Sequence, residues 1–298
     1  MDVNTGKRAV SSEVSSMDTA ILICGALTCR AYFRDDLQIG SLATQLYDRV
    51  NWDWMLNGGV TFAHSWTPEG GFCTNRWDTY SEMMVLYLLA LGARTNPIPD
   101  RCWRAWSRPR LDYRGLTFIT TNAPLFIHQF SHAWIDFRNK RDDFADYFAN
   151  SVIATRAHKI FCLSLSERFP DYQKDFCGIS SSDSPYGYVA WGGPPVMGPI
   201  DGSVVPAAAA GSLPFLPADT LAVLRNIYTN FPHACSHYGF VNAFNPLTKW
   251  HDADVVGIGL GITQIMLENY RTGFVWRTFM KNPEVNHAMA LAGFQQTP

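Results

Sequence analysis

Residues 76–92 read RWDTYSEMMVLYLLALG, and positions 83–91 are apolar without a break, with Glu82 at their threshold. The run reads as a helix, and helical patterning extends outward from it in both directions. SSMDTAILICGALTCRAYF opens with Ser15-x-x-Asp18, a cap pattern, and carries apolar residues on more than one face, which predicts a helix packed on several sides. Residues 41–56, SLATQLYDRVNWDWML, follow after a short polar turn, and the two predict a helical hairpin. DRCWRAWSR predicts a short helix after Pro97 and Pro99. APLFIHQFSHAWIDFRN and DFADYFANSVIATRAHKIFCLSLSERF predict a second long pair, divided near Lys140 and Arg141. A Gly- and Pro-rich stretch covers residues 175–217, and ADTLAVLRNIYTNF and GITQIMLENYRTGFVWRTFMKN close the chain as helices.

No segment shows a convincing alternating strand pattern, so the expected class is mainly α. Short and long connections alternate, as paired helices in a closed ring require, with the long loops collected on one rim. His64, Trp66, Trp77, Trp191, Trp250 and His251 lie in those loops. A binding cleft on that rim is the expectation.

Composition narrows the function classes. The 298 residues can bury a large core, no charged or Ser-rich linker interrupts them, and one domain is expected. A net charge of -2, with Lys and Arg scattered, leaves no basic patch for nucleic acid. The 10 Trp, 12 Tyr and 19 Phe against 17% charged residues point to a large core or an aromatic-lined groove. Seven cysteines without metal spacing read as buried free thiols rather than a disulfide framework. No apolar run approaches the ~18 residues of a membrane span.

Glu82 admits two readings. Thr79-x-x-Glu82 fits a capping box, in which the glutamate reaches back to the cap residue's backbone N–H. A catalytic carboxylate at the mouth of a helix would occupy a similar position. Asp18 has the look of a first-turn acid, whereas Glu13 precedes its helix without a capping role. Paired carboxylates are what glycoside hydrolysis needs, one protonated to donate to the leaving oxygen and one ionised to activate water or attack the sugar. His128 and His132 are four apart and predict one helical face continued by Asp136, either a satisfied polar stripe or a substrate-contacting row. HQFSH lacks the Glu of the zinc-protease motif, and no nucleophile elbow, P-loop or dinucleotide fingerprint is present. WGGPPVMG reads as a shaped loop near a ligand.

Taken together, RWDTYSEMMVLYLLALG, PLFIHQFSHAWIDFR, YFANSVIATRAH, VVPAAAAGSLPF, YGFVNAFNP and ENYRTGFVWRTFMKNPE strongly resemble the bacterial glucoamylase-like glycoside hydrolases. That group includes endo-β-1,2-glucanases and is related to the transglycosylating region of cyclic β-1,2-glucan synthases. The resemblance spans nearly the whole chain in consistent order. It implies an (α/α)6 barrel whose cleft holds a β-linked glucan, cleaved or transferred by acidic residues without metal or cofactor, in a periplasmic or secreted protein. It places Glu82 and Glu13 as the functional acids. Asp18, Trp66, Trp77, Tyr80, His132, Trp134, Asp136 and Trp191 become substrate contacts.

Three departures accompany it. Family members carry further helices before the region matching MDVNTGKRA, so a barrel without its first helices is expected. Asn242 stands where the pattern has Asp, and Gly259 where it has an acid; Asn cannot act as a general base and Gly has no side chain. The alternatives are therefore a hydrolase, a glucan-binding remnant without turnover, and a transglycosylase. An incomplete ring exposes apolar helix faces, so the purified chain is expected to self-associate. Size-exclusion chromatography with light scattering tests this, and a monodisperse monomer would contradict it.

Overall fold

The computed structural model describes residues 2–9, 12–121, 124–195 and 198–297. Helices account for about 43% of the chain, and the protein is mainly α. In order they are α1 (Ser16–Tyr32), α2 (Leu37–Asp48), α3 (Trp52–Met55), α4 (Met84–Gly92), α5 (Arg101–Arg104), α6 (Phe130–Trp134), α7 (Tyr147–Ser164), α8 (Pro206–Ala210), α9 (Pro217–Asn230), α10 (Gly257–Thr272), α11 (Phe274–Phe279) and α12 (Pro283–Leu291). Described strands are two to four residues long, too short to show an alternating pattern in the sequence. The chain forms two compact units, residues 1–107 with 278–295, and residues 108–277 with 296–298.

In the first unit, α1 begins as its sequence predicts: the Ser15 side chain accepts from the Asp18 backbone N–H at 3.1 Å. The expected single helix over 41–56 is two, because the Asn51 side chain caps a new start at Trp52. All nine residues of α4 are buried, as a helix apolar on every side requires. It packs against α12 so closely that a Cβ on Gly92 would lie 2.1 Å from the Glu284 carbonyl oxygen. Arg30 secures that approach from α1. Its guanidinium donates to Glu284 Oε2 at 2.6 Å and to Asn282 Oδ1 at 2.7 Å, while Asn282 Nδ2 donates to Leu27 O at 3.1 Å. Opposite, Phe62, Tyr87, Trp103 and Trp106 form an aromatic core, with Tyr87 OH donating to Trp77 O at 2.7 Å. Leu22, Leu37 and Leu42 on α1 and α2 are exposed.

In the second unit, α7 packs on the hairpin Arg110–Tyr113/Leu116–Ile119, and the Asn150 amide completes the edge by bonding both Ile119 N and Ile119 O, at 2.6 and 3.0 Å. The predicted helix through FIHQFSHAW breaks at Gln129 into a 3-10 turn, Leu125–His128, and the short α6. His128 and His132 consequently do not share an unbroken α-helical face. Their rings sit in a buried polar network instead: His128 Nε2 lies 3.3 Å from Thr120 Oγ1, and His132 Nε2 lies 3.1 Å from Ser151 Oγ, whose hydroxyl also reaches His128 O. Trp276 Nε1 donates to His132 O at 2.6 Å, and Asn269 Nδ2 to Ala133 O at 2.8 Å, pinning α6 to α11 and α10. His158 Nε2 accepts from Ile179 N at 3.0 Å. All seven cysteines are free; Cys24, Cys102 and Cys162 are buried, and Cys29 is exposed.

Two outcomes follow. Gly92→Ala forces α4 and α12 apart and should cost roughly 2–3 kcal/mol, read as a lower urea midpoint. An unchanged midpoint would contradict the close packing. Burial lowers His128 and His132 to about 3 and His158 to about 4, so all three are neutral in the folded chain near pH 5. Unfolded, they take up protons below about pH 6.5. The unfolded state therefore binds more protons between about pH 6.5 and 4, and stability decreases as pH is lowered, by up to about 1.4 kcal/mol per unit for each histidine. Urea melts at pH 7, 6 and 5 check this; a midpoint that stays level would mean the rings are open to solvent.

Candidate functional site

The first unit assembles its acidic cluster around the start of α1. Ser16 Oγ donates to Ala63 O at 2.8 Å and accepts from Trp77 Nε1 at 2.9 Å, which brings the segment leading to Glu82 beside Asp18. His64 stacks on Trp77, ring centroids 3.8 Å apart. Val14–Ser15 pairs antiparallel with Ser65–Thr67, so Glu13 enters this neighbourhood at the end of a strand. Glu13 and Asp18 are exposed, Trp66 and Trp77 half-buried, and Tyr80 fully buried.

Glu82 does not form the capping box that its spacing predicts. The Thr79 hydroxyl donates to Asp78 Oδ1 at 3.2 Å and accepts from Ser107 Oγ at 3.1 Å. Backbone bonds from Tyr80 N to Ser107 O and from Ser107 N to Asp78 O hold this segment extended, and α4 starts at Met84 with no side-chain cap. Glu82 is half-buried, and the Ser81 hydroxyl donates to its Oε2. Burial pushes the carboxyl above its ordinary value, the Ser81 bond partly opposes that, and the negative charge of Asp18 reinforces it. A carboxyl whose hold on its proton is strengthened is what general-acid chemistry needs. Burial lowers His64, while a backbone bond at Arg76 and the charges of Asp78 and Glu13 favour its protonated form.

In the second unit the predicted contacts are mostly committed to structure. His132 is buried, its ring edge-on to Phe137 and Phe215. Trp134 is buried at the end of α6. Asp136 lies beyond that helix and accepts two bonds at 2.8 Å from Arg138, whose guanidinium lies over the Trp276 ring. Although its own burial raises it, these Arg138 contacts leave the Asp136 carboxyl below its ordinary value. Trp191 is buried, with Nε1 donating to Ser182 Oγ at 2.9 Å. Within WGGPPVMG, Val196 and Met197 lie outside the described residues.

Asn242 and Gly259 line one cavity of about 180 Å3 in this unit, together with Asp183. Asn242 Nδ2 donates to Asp183 Oδ2 at 3.3 Å and to Asp252 Oδ2 at 3.2 Å. Asp183 and Asp252 were not singled out in the sequence; the pair in HDADVV was a signal, but only folding brings residue 183 to it. Among the described residues no group of three or more His, Cys, Asp or Glu is placed to hold a metal ion, and no helix is long and apolar enough to cross a membrane.

Residues 74–283 match the Glycoamylase family, described as "Putative glucoamylase". A structure of the same description from Bacteroides uniformis has a TM-score of 0.92 at 26% identity, covering 99% of this chain and 76% of that one. An endo-beta-1,2-glucanase from Chitinophaga pinensis, solved with sophorotriose and glucose, has a TM-score of 0.85 at 26% identity, covering 95% of this chain and 72% of that one. An exo beta-1,2-glucooligosaccharide sophorohydrolase (non-reducing end) from Parabacteroides distasonis is 26% identical over 304 residues, 90% of this chain and 42% of that protein. The chain thus spans less than half the length of that curated relative. With the family match extending over more than half of its residues, the chain belongs to the Glycoamylase family.

Proposed function

We propose that this chain is a glycoside hydrolase that cleaves a β-linked glucan, of the endo-β-1,2-glucanase type, with Glu82 as general acid. The observation that carries the reading is the Glu82 carboxyl itself: half-buried, pushed by burial toward its protonated form, and hydrogen-bonded by the Ser81 hydroxyl. Similarity to two β-1,2-glucan-active proteins over at least 90% of this chain supports the substrate class. Glu82 donates its proton to the glycosidic oxygen as that bond breaks; water supplies the hydroxyl at the anomeric carbon, and a second carboxylate, Glu13 in this reading, takes up the balancing proton. Burial, with the Asp18 charge reinforcing it, raises the proton affinity of Glu82, and Asp18 faces solvent, where it can also accept from a sugar hydroxyl. Half-buried Trp66 and Trp77 offer ring faces to pyranose rings. Tyr80, His132, Trp134 and Trp191 are buried and support the fold from within, and Asp136 is engaged by Arg138. We also read the paired helices as part of an (α/α)6 barrel forming one catalytic domain, a reading supported by the TM-scores above.

A second reading follows from Asn242 and Gly259, which leave two expected acidic positions without a carboxylate: a chain that binds glucan without turning it over. Transglycosylation is the third, and product sizes distinguish it from hydrolysis. The test is incubation of the 298-residue chain with linear β-1,2-glucan, following reducing ends beside Glu82→Gln. Glutamine keeps the shape and cannot donate the proton, so release should fall by about 10²–10⁴-fold. Turnover by the parent that Glu82→Gln leaves intact would remove Glu82 from the role. Glucan binding by both without turnover would establish the second reading.

A further inference from the structure

The helical hairpin of the first unit leaves one face of α2 without a partner. Gln38, Ser41, Leu42, Gln45, Leu46 and the cap residue Arg49 recur at intervals of three and four, and all of them are exposed. Leu42 is 52% exposed and Leu46 46%, while Ala43 and Tyr47 on the opposite face are buried. Leu22 of α1, which packs along α2, is 64% exposed, and the turn between the two helices adds Leu37 at 86%. Single exposed leucines are ordinary on a surface, but several on one hairpin mark a contact site.

The charges at its ends decide what fits this face. The helix is entered at Asp36 and left at Arg49, and no charged residue stands between Asp36 and Asp48, which Arg94 pairs. Asp36 accepts from Gln38 N and Ile39 N at 2.9 and 3.0 Å, both through Oδ1, so Oδ2 is open to a cation. The Arg49 side chain has no partner among the described residues. About 20 Å of helix separates the two ends, and their midpoint falls beside Leu42 and Ala43. An acid at one end, a base at the other and leucines between are self-complementary under a two-fold axis. A second α2 running in the opposite direction sets its Arg49 against Asp36 and its Asp36 against Arg49, while the leucines cross. An anionic lipid surface suits the face poorly: the turn before α2 carries Asp35 and Asp36 against Arg34 alone, and neither helix contains a lysine.

We propose that α2 pairs antiparallel with α2 of a second copy of this chain across a two-fold axis beside Leu42, with Leu42 and Leu46 of both copies interleaved and Asp36 of each meeting Arg49 of the other. Burial of the leucines supplies the affinity, and the exposed end pairs fix direction and register more than they add strength. None of these residues belongs to the acid cluster around Glu82, so the pairing stands or falls independently of glucan cleavage.

The experiment is sedimentation equilibrium of the full chain over a dilution series, with disulfide trapping as its second arm. The parent should show a reversible monomer–dimer equilibrium. Leu42→Glu should raise the dissociation constant roughly tenfold or more, and Arg49→Glu, which sets an acid against Asp36, should raise it severalfold. Tyr228→Glu, at a residue equally open to solvent but on α9 of the second unit, should leave it unchanged. With Cys29→Ser removing the exposed native thiol, Leu42→Cys lies beside the axis and should give a disulfide-linked dimer on mild oxidation. Leu46→Cys should not, because its two copies are offset by about 10 Å along the paired helices. Thermal melts verify that each variant is folded, and Leu42→Ser takes the place of Leu42→Glu if that variant does not fold. A parent that stays monomeric through the series, association that continues past the dimer, a dimer indifferent to Leu42→Glu, or trapping by Leu46→Cys as readily as by Leu42→Cys would each overturn the proposal.

Discussion

Helix α4 has no solvent-facing side, and the first unit is organised by that constraint. Nine consecutive apolar residues must be covered, and α12 covers them at a distance only Gly92 permits. Arg30 holds this contact by binding Glu284 and Asn282 together, a charge-assisted arrangement in which each partner of a poorly hydrated ion pair is also satisfied by an amide or backbone group. Because α4 is enclosed, the chain entering it cannot begin helical in the open. It arrives extended, tied to Ser107, and releases Glu82 one residue before the helix-capping position at Met83.

The carboxyls of this protein show how little residue type alone says about protonation. Glu82 and Asp136 are both partly buried, and burial raises both. Glu82 has a neutral hydroxyl partner and a negative neighbour, so burial prevails; Asp136 has the Arg138 fork, so its charged form prevails. Asp183 differs again, because its neighbours are other carboxyls and an amide bridges them. A carboxyl raised by burial, a structural anion and a carboxyl raised by burial and by its carboxyl neighbours thus arise from the same functional group.

Much of the local structure was legible in residue order. The Ser15 cap, the short helix after Pro99 and the long helix over YFANSVIATRAH follow from cap chemistry, proline placement and helical periodicity, all of which act within a few residues. The capping box at Thr79 was not borne out, because Tyr80 N and the Thr79 side chain are engaged by Ser107, 28 residues away from Thr79. The face shared by His128 and His132 was lost for a comparable reason. Contacts from Ser151, Trp276 and Asn269 support a 3-10 turn followed by a short helix, and no periodicity within FIHQFSHAW encodes those partners.

The residue pattern was sufficient for the helical class and for the family's motifs, because hydrophobic runs and side-chain identities are local properties. Whether Glu82 is a cap or an acid, and whether Asp136 is a contact or a pinned ion, depended on which groups folding set beside each carboxyl. Proton affinity is set by burial and neighbours within a few ångströms. Those neighbours are dispersed along the chain, and only packing brings them together.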